Sequence, residues 1–312
     1  MRVATWNLEN LFAPNASAAA PASRATYEAK IAALASTIAA IAPDVLAVQE
    51  VGSPPALDDL AAALPGTWYR ETADPDGRGI RVALLSRRLL REVEQVSDFP
   101  TGLGTVQVDD DGRVIAGLGR PALKATATFG GKKVHVVSAH LKSKLLTFPG
   151  GRFSTSDEAE RARYAVYALH RRAAEAAGIR AFVTRLLAQS TTNTAAVVVA
   201  GDLNDDTQAA TTQILLGPPG SEIGTIGFDR PDAGDQQRLW NVAPHIPEAD
   251  RYSRNYRGRR ELIDHILVSE PLVHGVTAGA GPAPAPSIDD QPDARRDRPG
   301  SDHRPVYVDL PA

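Results

Sequence analysis

Six apolar runs in this chain are bounded by residues able to bind a cation or move a proton. They meet Trp6-Asn7-Leu8-Glu9, Gln49-Glu50, Ser138-Ala139-His140 running into Lys142, Gly201-Asp202-Leu203-Asn204, Leu262-Ile263-Asp264-His265 and Ser301-Asp302-His303. Carboxylates, amides and imidazoles hold hard cations, position water and steady developing negative charge. A single Asn or Glu beside a strand is ordinarily a turn residue or a cap. Six such endings in one chain are hard to explain as turns. Gly201 permits a tight turn, and Asp202 and Asn204, two apart in extended chain, project to one side. His303 cannot easily be oriented by its own neighbour Asp302, so a carboxylate from elsewhere must fix its tautomer, and Asp264 is the available one.

The elements that must position these groups alternate without regular βαβ units. Arg2–Trp6 reads as a short strand. Tyr27, Ile31, Leu34, Ile38 and Ile41 recur at the spacing of one helix face, so Tyr27–Ile41 is a core-covering helix that Pro43-Asp44 stops. Val45–Val48 is a buried strand, and strand patterns recur at Arg81–Ser86, Leu123–Phe129, Val134–Ala139, Ala196–Ala200, Leu262–Val268 and Val306–Leu310. Asp157–Gln189 is helical; Thr155 and Glu158 fit a capping box, and Gly178 is expected to split the stretch into two helices. Two long Gly/Pro-rich loops, Gly217–Gln237 and Ala278–Gly300, are candidates for substrate contact. Many strands with few helices between them predict two packed sheets with helices outside. No repeat or linker divides the chain, so residues 1–312 are read as one domain.

Composition sets the limits. The 312 residues are 43% hydrophobic and 23% charged, an ordinary globular balance that excludes disordered and collagen-like classes. With 34 Lys+Arg against 37 Asp+Glu the formal charge is −3, so a polyanion would have to be held by a local basic patch or by bound metal. The absence of cysteine removes disulfides, thiolate metal sites and cysteine nucleophiles. No stretch approaches the roughly 18 apolar residues of a membrane span. As numbered, the chain reads as cytoplasmic, or as secreted if a leader was removed.

In order, Thr5-Trp6-Asn7-Leu8-Glu9-Asn10, Gln49-Glu50, Arg81–Ser86, Ser138-Ala139-His140-Leu141-Lys142, Gly201-Asp202-Leu203-Asn204, Leu262–Leu267 and Ser301-Asp302-His303-Arg304-Pro305 resemble the motifs of the endonuclease/exonuclease/phosphatase superfamily. The resemblance spans nearly the whole chain and implies a four-layer α/β/β/α sandwich of two mixed β-sheets flanked by helices. It implies that Glu50 binds a divalent ion, Mg²⁺ or Mn²⁺, with Asn7, Glu9 and Asp302 beside it. By the same resemblance Asp202 positions or deprotonates the attacking water and Asn204 helps orient it. His303, paired with Asp264, holds the scissile phosphate, and His140 stands near the leaving oxygen. One departure is visible: Ile80 occupies the place where pancreatic-type deoxyribonucleases carry the glutamate that orients the second histidine, which leaves His140 without its usual partner.

The substrate is read from the flanking segments. Lys142–Arg185 holds nine Lys/Arg against four Asp/Glu, and Arg251–Arg260 holds five arginines, Tyr252 and Tyr256 with no acid. Aromatics interleaved with arginine before a catalytic strand suit stacking of bases and gripping of phosphates. Arg81, Arg120, Lys142, Tyr252, Tyr256 and Arg257 are therefore the expected substrate-binding residues, Arg120 by resemblance to a strand-entry arginine that faces DNA. The leading expectation is a metal-dependent nuclease acting on DNA, with RNA as the second candidate and an in-line attack by activated water. The alternative is a phosphatase or sphingomyelinase-like phosphodiesterase acting on a small phosphoester or lipid headgroup.

Overall fold

A computed structural model of the chain describes residues 1–189, 195–281, 286–288 and 294–311. Its elements run β1 (Arg2–Leu11), α1 (Arg24–Ile41), β2 (Val45–Val51), α2 (Pro54–Ala62), β3 (Tyr69–Thr72), β4 (Arg81–Ser86), β5 (Arg91–Asp98) and the short pair β6 (Val106–Gln107) and β7 (Val114–Ile115). Then come β8 (Gly117–Phe129), β9 (Lys132–His140), α3 (Glu158–Ala188), β10 (Ala196–Asp202), α4 (Ala210–Leu216) and β11 (Leu239–Asn241). The chain closes with β12 (Arg254–Tyr256), β13 (Arg259–Glu261), β14 (Asp264–Ser269), α5 (Glu270–Val273), β15 (Thr277–Ala280), β16 (Ser287–Ile288) and β17 (Val306–Asp309).

Two six-stranded mixed sheets, ordered β15-β17-β1-β2-β4-β3 and β11-β14-β10-β9-β8-β5, form the middle of the molecule. Period-two alternation explains how they stack. On β2, Val45 and Ala47 enter the core between the sheets while Leu46 and Val48 face α1 and α2; on β10, Val198 and Ala200 face inward while Val197 and Val199 meet α3 and α4. The result is the expected α/β/β/α sandwich. Each fully buried Val or Leu in these layers contributes roughly 1.5–3 kcal/mol.

Strand directions bring the polar endings to one edge. β1 and β2 are parallel, and β17 runs antiparallel to β1, so the segment before β17 lies where β1 ends. β9 and β10 are parallel and β14 antiparallel, which sets Asp202 opposite both His140 and Asp264. The small sheet β13-β12-β16 flanks this edge.

Several local expectations are corrected. β1 extends through the polar ending to Leu11. α3 is a single 31-residue helix, not two. A Cβ at Gly178 would stand 2.7 Å from the Asp98 carbonyl oxygen and 2.9 Å from Leu118, so this glycine serves close packing of helix on sheet. The N-cap is Asp157, which accepts from the Ala159 and Glu160 N–H groups, rather than Thr155. Gly201 lies within β10, where a Cβ would come 2.0 Å from the Ala139 carbonyl oxygen; close strand approach, not a turn, requires glycine there. The Gly217–Gln237 loop is fastened by the buried Arg238, which bonds Pro218 O, Pro219 O, Ser221 and Asp232, and the loop takes no part in the cleft that opens at the polar edge. Of the Ala278–Gly300 loop, 282–285 and 289–293 lie outside the described residues, while Ser287, Ile288, Ala294, Arg295 and Arg298 border the cleft, as expected of a substrate-contact loop.

Candidate active site

The polar edge opens into a cleft of about 640 Å³ lined by Asn7, Glu9, Glu50, His140, Asp202, Asn204, Asp302 and His303. Its floor is stitched across both sheets by the buried Gln49, whose Nε2 donates to Thr5 Oγ1 at 3.2 Å and to Ser138 Oγ at 3.4 Å.

The acidic half is built by two backbone irregularities. The β1–β2 register breaks between Asn7 and Leu11, and Glu9, Asn10 and Glu50 all adopt left-handed conformations, with φ of 51°, 53° and 60°. Bulges of this kind re-aim side chains at a strand end. The turn is held by Glu9 N–H donating to Asn7 Oδ1 (3.0 Å), Asn10 N–H to Glu50 Oε2 (2.9 Å) and the buried Lys30 ammonium to Glu9 O (2.7 Å). Arg295 Nε donates to Glu9 Oε1 at 2.9 Å, while Glu9 Oε2 is buried without a partner. Burial and the neighbouring Asp302 push the Glu9 carboxyl up to about 7.

This donor set fits a divalent cation. It offers hard oxygens, an orphaned carboxylate oxygen and crowded acids whose mutual repulsion a cation relieves. Asp202, Asp264 and His303 also place ligand atoms within 4.8 Å of one another. Their contacts read as an acid–imidazole relay, because His303 Nδ1 is committed to Asp264 Oδ2 at 2.6 Å.

In the relay half, His303 is pinned through its backbone: Trp6 Nε1 donates to His303 O (2.9 Å), and His303 N–H donates to Ser301 Oγ (3.0 Å). Ser253 Oγ accepts from the Asp264 N–H at 3.0 Å and fixes the carboxylate bearer. Burial alone would lower the His303 pKa; the charges of Asp264 and Asp302 outweigh it and hold the imidazolium above the ordinary histidine range. Asp202 accepts from Asn7 Nδ2 at 2.9 Å and from the Asn204 N–H at 2.9 Å. Burial and Asp264 push Asp202 up to about 7, the range of a useful base. Asn204 is left-handed, φ 55°, so it converges on Asp202 through this turn rather than through extended alternation.

His140 Nε2 lies 3.5 Å from Asp202 Oδ2, and its Nδ1 is buried without a partner. Ile80 is itself buried. Burial and the Arg120 charge drive His140 well below the ordinary histidine value, so it is neutral at pH 7.

Of the expected substrate-binding residues, Tyr256 and Arg257 line the cleft and four do not. Tyr252 is 5% exposed, with the guanidinium groups of Arg260 (4.3 Å) and Arg304 (4.2 Å) over its ring, so its burial leaves no room for a base; the half-buried Tyr256 has Arg254 (5.2 Å) and Arg257 (5.5 Å) over its own ring. Lys142 turns its ammonium onto Ser143 O, Ser143 Oγ and Leu145 O. Arg120 is paired with Asp76 at 2.8 Å, and Arg81 sits half-buried at the start of β4. The cationic residues that do reach the cleft are Arg78, Lys144, Arg254, Arg257, Arg295 and Arg298. Lys144, Arg254, Arg295 and Arg298 stood in segments singled out by sequence, the last two in the Ala278–Gly300 loop; Arg78 carried no signal.

The profile of the Endonuclease/Exonuclease/phosphatase family matches residues 4–303, a span that takes in Asn7, Glu9, Glu50, His140, Asp202, Asn204, Asp302 and His303. The chain belongs to this family. The family's enzymes are hydrolases acting on phosphoester bonds and generally use divalent metal ions. No protein of curated function matches the sequence. Among solved structures, the chain is similar over its whole length to TDP2 from Caenorhabditis elegans, with a TM-score of 0.58, 16% identity and 75% of that chain covered. The human Nocturnin catalytic domain follows with a TM-score of 0.56, 15% identity and 94% coverage. A mannosyl-6-phosphatase from Bacteroides thetaiotaomicron follows with 0.55, 16% and 100%; all of this chain is covered in both cases. At these identities the likeness is one of fold. Among the described residues no helix is long and apolar enough to cross a membrane.

Proposed function

We propose that residues 1–312 form one catalytic domain of a metal-dependent phosphodiesterase, a nuclease that hydrolyses DNA and, secondarily, RNA. The observation that supports this reading is the set of arginines lining the cleft beside its acidic centre, Arg78, Arg254, Arg257 and Arg298, with Tyr256 among them; Arg295 is tied to Glu9 and Lys144 to Asp205 and Asp206. Cations at a cleft rim suit a backbone of successive phosphates, and an aromatic ring among them suits a base.

In this reading Asp202 accepts the proton of the attacking water, which Asn204 helps to hold. His303, charged and fixed by Asp264, binds a phosphoryl oxygen as negative charge grows. Neutral His140 donates a hydrogen bond near the leaving oxygen. Asn7, Glu9, Glu50 and Asp302 would hold Mg²⁺ or Mn²⁺, which supplies charge neutralisation when bound.

The test is incubation with plasmid, linear and single-stranded DNA, RNA, a small phosphodiester and phosphomonoesters, each with Mg²⁺, Mn²⁺ or chelator. Nucleic-acid cleavage that falls steeply with added salt is expected. Turnover of small phosphoesters alone would replace the nuclease with a phosphatase or sphingomyelinase-like enzyme.

A further inference from the structure

We propose that Arg254 is a further catalytic residue, whose guanidinium binds a non-bridging oxygen of the scissile phosphate beside His303. This rests on the reading of the cleft as a phosphodiester site.

The placement follows from one backbone pairing. Arg254 forms an isolated antiparallel bridge with His303, closed by the Arg304 N–H donating to Ser253 O at 2.6 Å. Residues directly opposite in an antiparallel pair send their side chains to the same face, with Cβ atoms about 4.5–5.5 Å apart. Arg254 and His303 therefore leave the ladder together, and both line the cleft. Tyr256, two residues on in β12, shares that face, and its ring centroid lies 5.2 Å from the Arg254 guanidinium carbon. Such stacking holds the guanidinium plane without using any of its donors.

One of those donors is spare. Arg254 Nε is buried and has no hydrogen-bond partner. A buried N–H in that condition is costly, and a turn of the guanidinium toward an anionic oxygen bound in the cleft would satisfy it. A guanidinium also matches a tetrahedral phosphate better than a point charge does, since its N–H groups reach two oxygens at once. His303 and Arg254 would then divide the oxygens that gain charge during attack. Glu261 faces Arg254 from the opposite flank, on β13. If pairing with Glu261 were the whole role of Arg254, changing it would leave the chemical step intact.

Wild type, Arg254→Ala, Arg254→Lys and His303→Ala are compared with Mg²⁺ on double-stranded DNA and on bis-p-nitrophenyl phosphate, together with thermal unfolding and calorimetric binding of inorganic phosphate. Arg254→Ala is expected to lower kcat on both substrates by roughly ten- to a hundredfold. It should also weaken phosphate binding and keep the wild-type unfolding midpoint, with Arg254→Lys recovering part of the rate. Unchanged kcat in Arg254→Ala beside an inactive His303→Ala would overturn the role of Arg254 and leave the site standing. A raised KM with unchanged kcat would equally overturn it, making Arg254 a rim contact. Wild-type activity in His303→Ala, or no cleavage by wild type, would overturn the reading of the cleft and the inference with it.

Discussion

His303 Nδ1 and Asp264 Oδ2 meet at 2.6 Å between two buried side chains, which leaves His303 Nε2 facing Asp202 Oδ2 at 4.0 Å. The Asp264 charge keeps the imidazolium protonated in a place where burial would discharge it. Asp202→Asn and His303→Ala are each expected to lower turnover at least about a hundredfold while the circular dichroism spectrum stays native. Asp264→Asn keeps the shape but not the charge and should lower kcat by about tenfold or more. Near wild-type turnover in Asp202→Asn or His303→Ala would refute the assignment.

Metal dependence has a readout apart from activity. Since Glu9 Oε2 is orphaned and its carboxyl is raised by burial and Asp302, a bound divalent ion should stabilise the fold. At about a hundred times Kd the gain is about 2.7 kcal/mol. Mg²⁺ is expected to raise the thermal midpoint of wild type and to do so less in Glu9→Gln. An identical midpoint with Mg²⁺ and with chelator would count against the site.

The two tyrosines of the arginine-rich segment should part company. Tyr256 lies in the cleft with Arg254 and Arg257 over its ring, so Tyr256→Ala is expected to raise KM for DNA by about tenfold by loosening the two arginines, a loss of about 1.4 kcal/mol, and to leave the fold intact. Tyr252→Ala removes a buried ring packed against Arg260 and Arg304, so its main effect should be a lowered unfolding midpoint. Equal effects of both on DNA affinity would contradict the distinction.

At Gly178 two effects oppose. Alanine favours a helix interior by about 0.8–1.0 kcal/mol, but its Cβ would stand 2.7 Å from the Asp98 carbonyl oxygen. Relieving that overlap costs roughly 1–3 kcal/mol. Gly178→Ala should therefore be destabilising in urea unfolding, and a stabilised variant would show that the helix can move away from the sheet.

Lys142 gives a pH signature. Burial, with Arg171 beside it, lowers its ammonium to about 8. The unfolded chain, with a lysine pKa of about 10.4, then binds more protons between the two values, so stability rises with pH across that window. The folded state carries the full penalty below about pH 8. Comparing urea unfolding at pH 7 and pH 10, wild type should improve relative to Lys142→Met as pH rises. A gap between the two proteins that does not change with pH would show that Lys142 titrates normally.

The sandwich was legible in the sequence because strand alternation is local. Val45–Val48 and Ala196–Ala200 carry their two faces in their own order, and each polar ending marks where its strand stops. The cleft acids and the His303–Asp264 pair were legible through motif order. What escaped depends on other parts of the chain. Tyr252 and Tyr256 are alike by composition and each has two arginines over its ring, but Arg304, from far along the chain, helps to bury the first. Gly178 looked like a helix breaker because the strand oxygen it accommodates is 80 residues away. The left-handed turns at Glu9 and Glu50 fall at polar, non-glycine residues, where sequence gives little warning.

β1 pairs on one side with β2 and on the other with β17, so Arg2 to Thr5 hydrogen-bond a strand some three hundred residues later. That separation is a matter of timing as well as of shape. During synthesis β1 emerges well before β17 and waits with one edge open until the segment that carries Asp302 and His303 follows. An incomplete chain lacks both the histidine and the strand that seats it. The growing polypeptide is thus expected to stay inert toward phosphoesters until the β17 segment docks, and long-range pairing of this kind makes that docking slow.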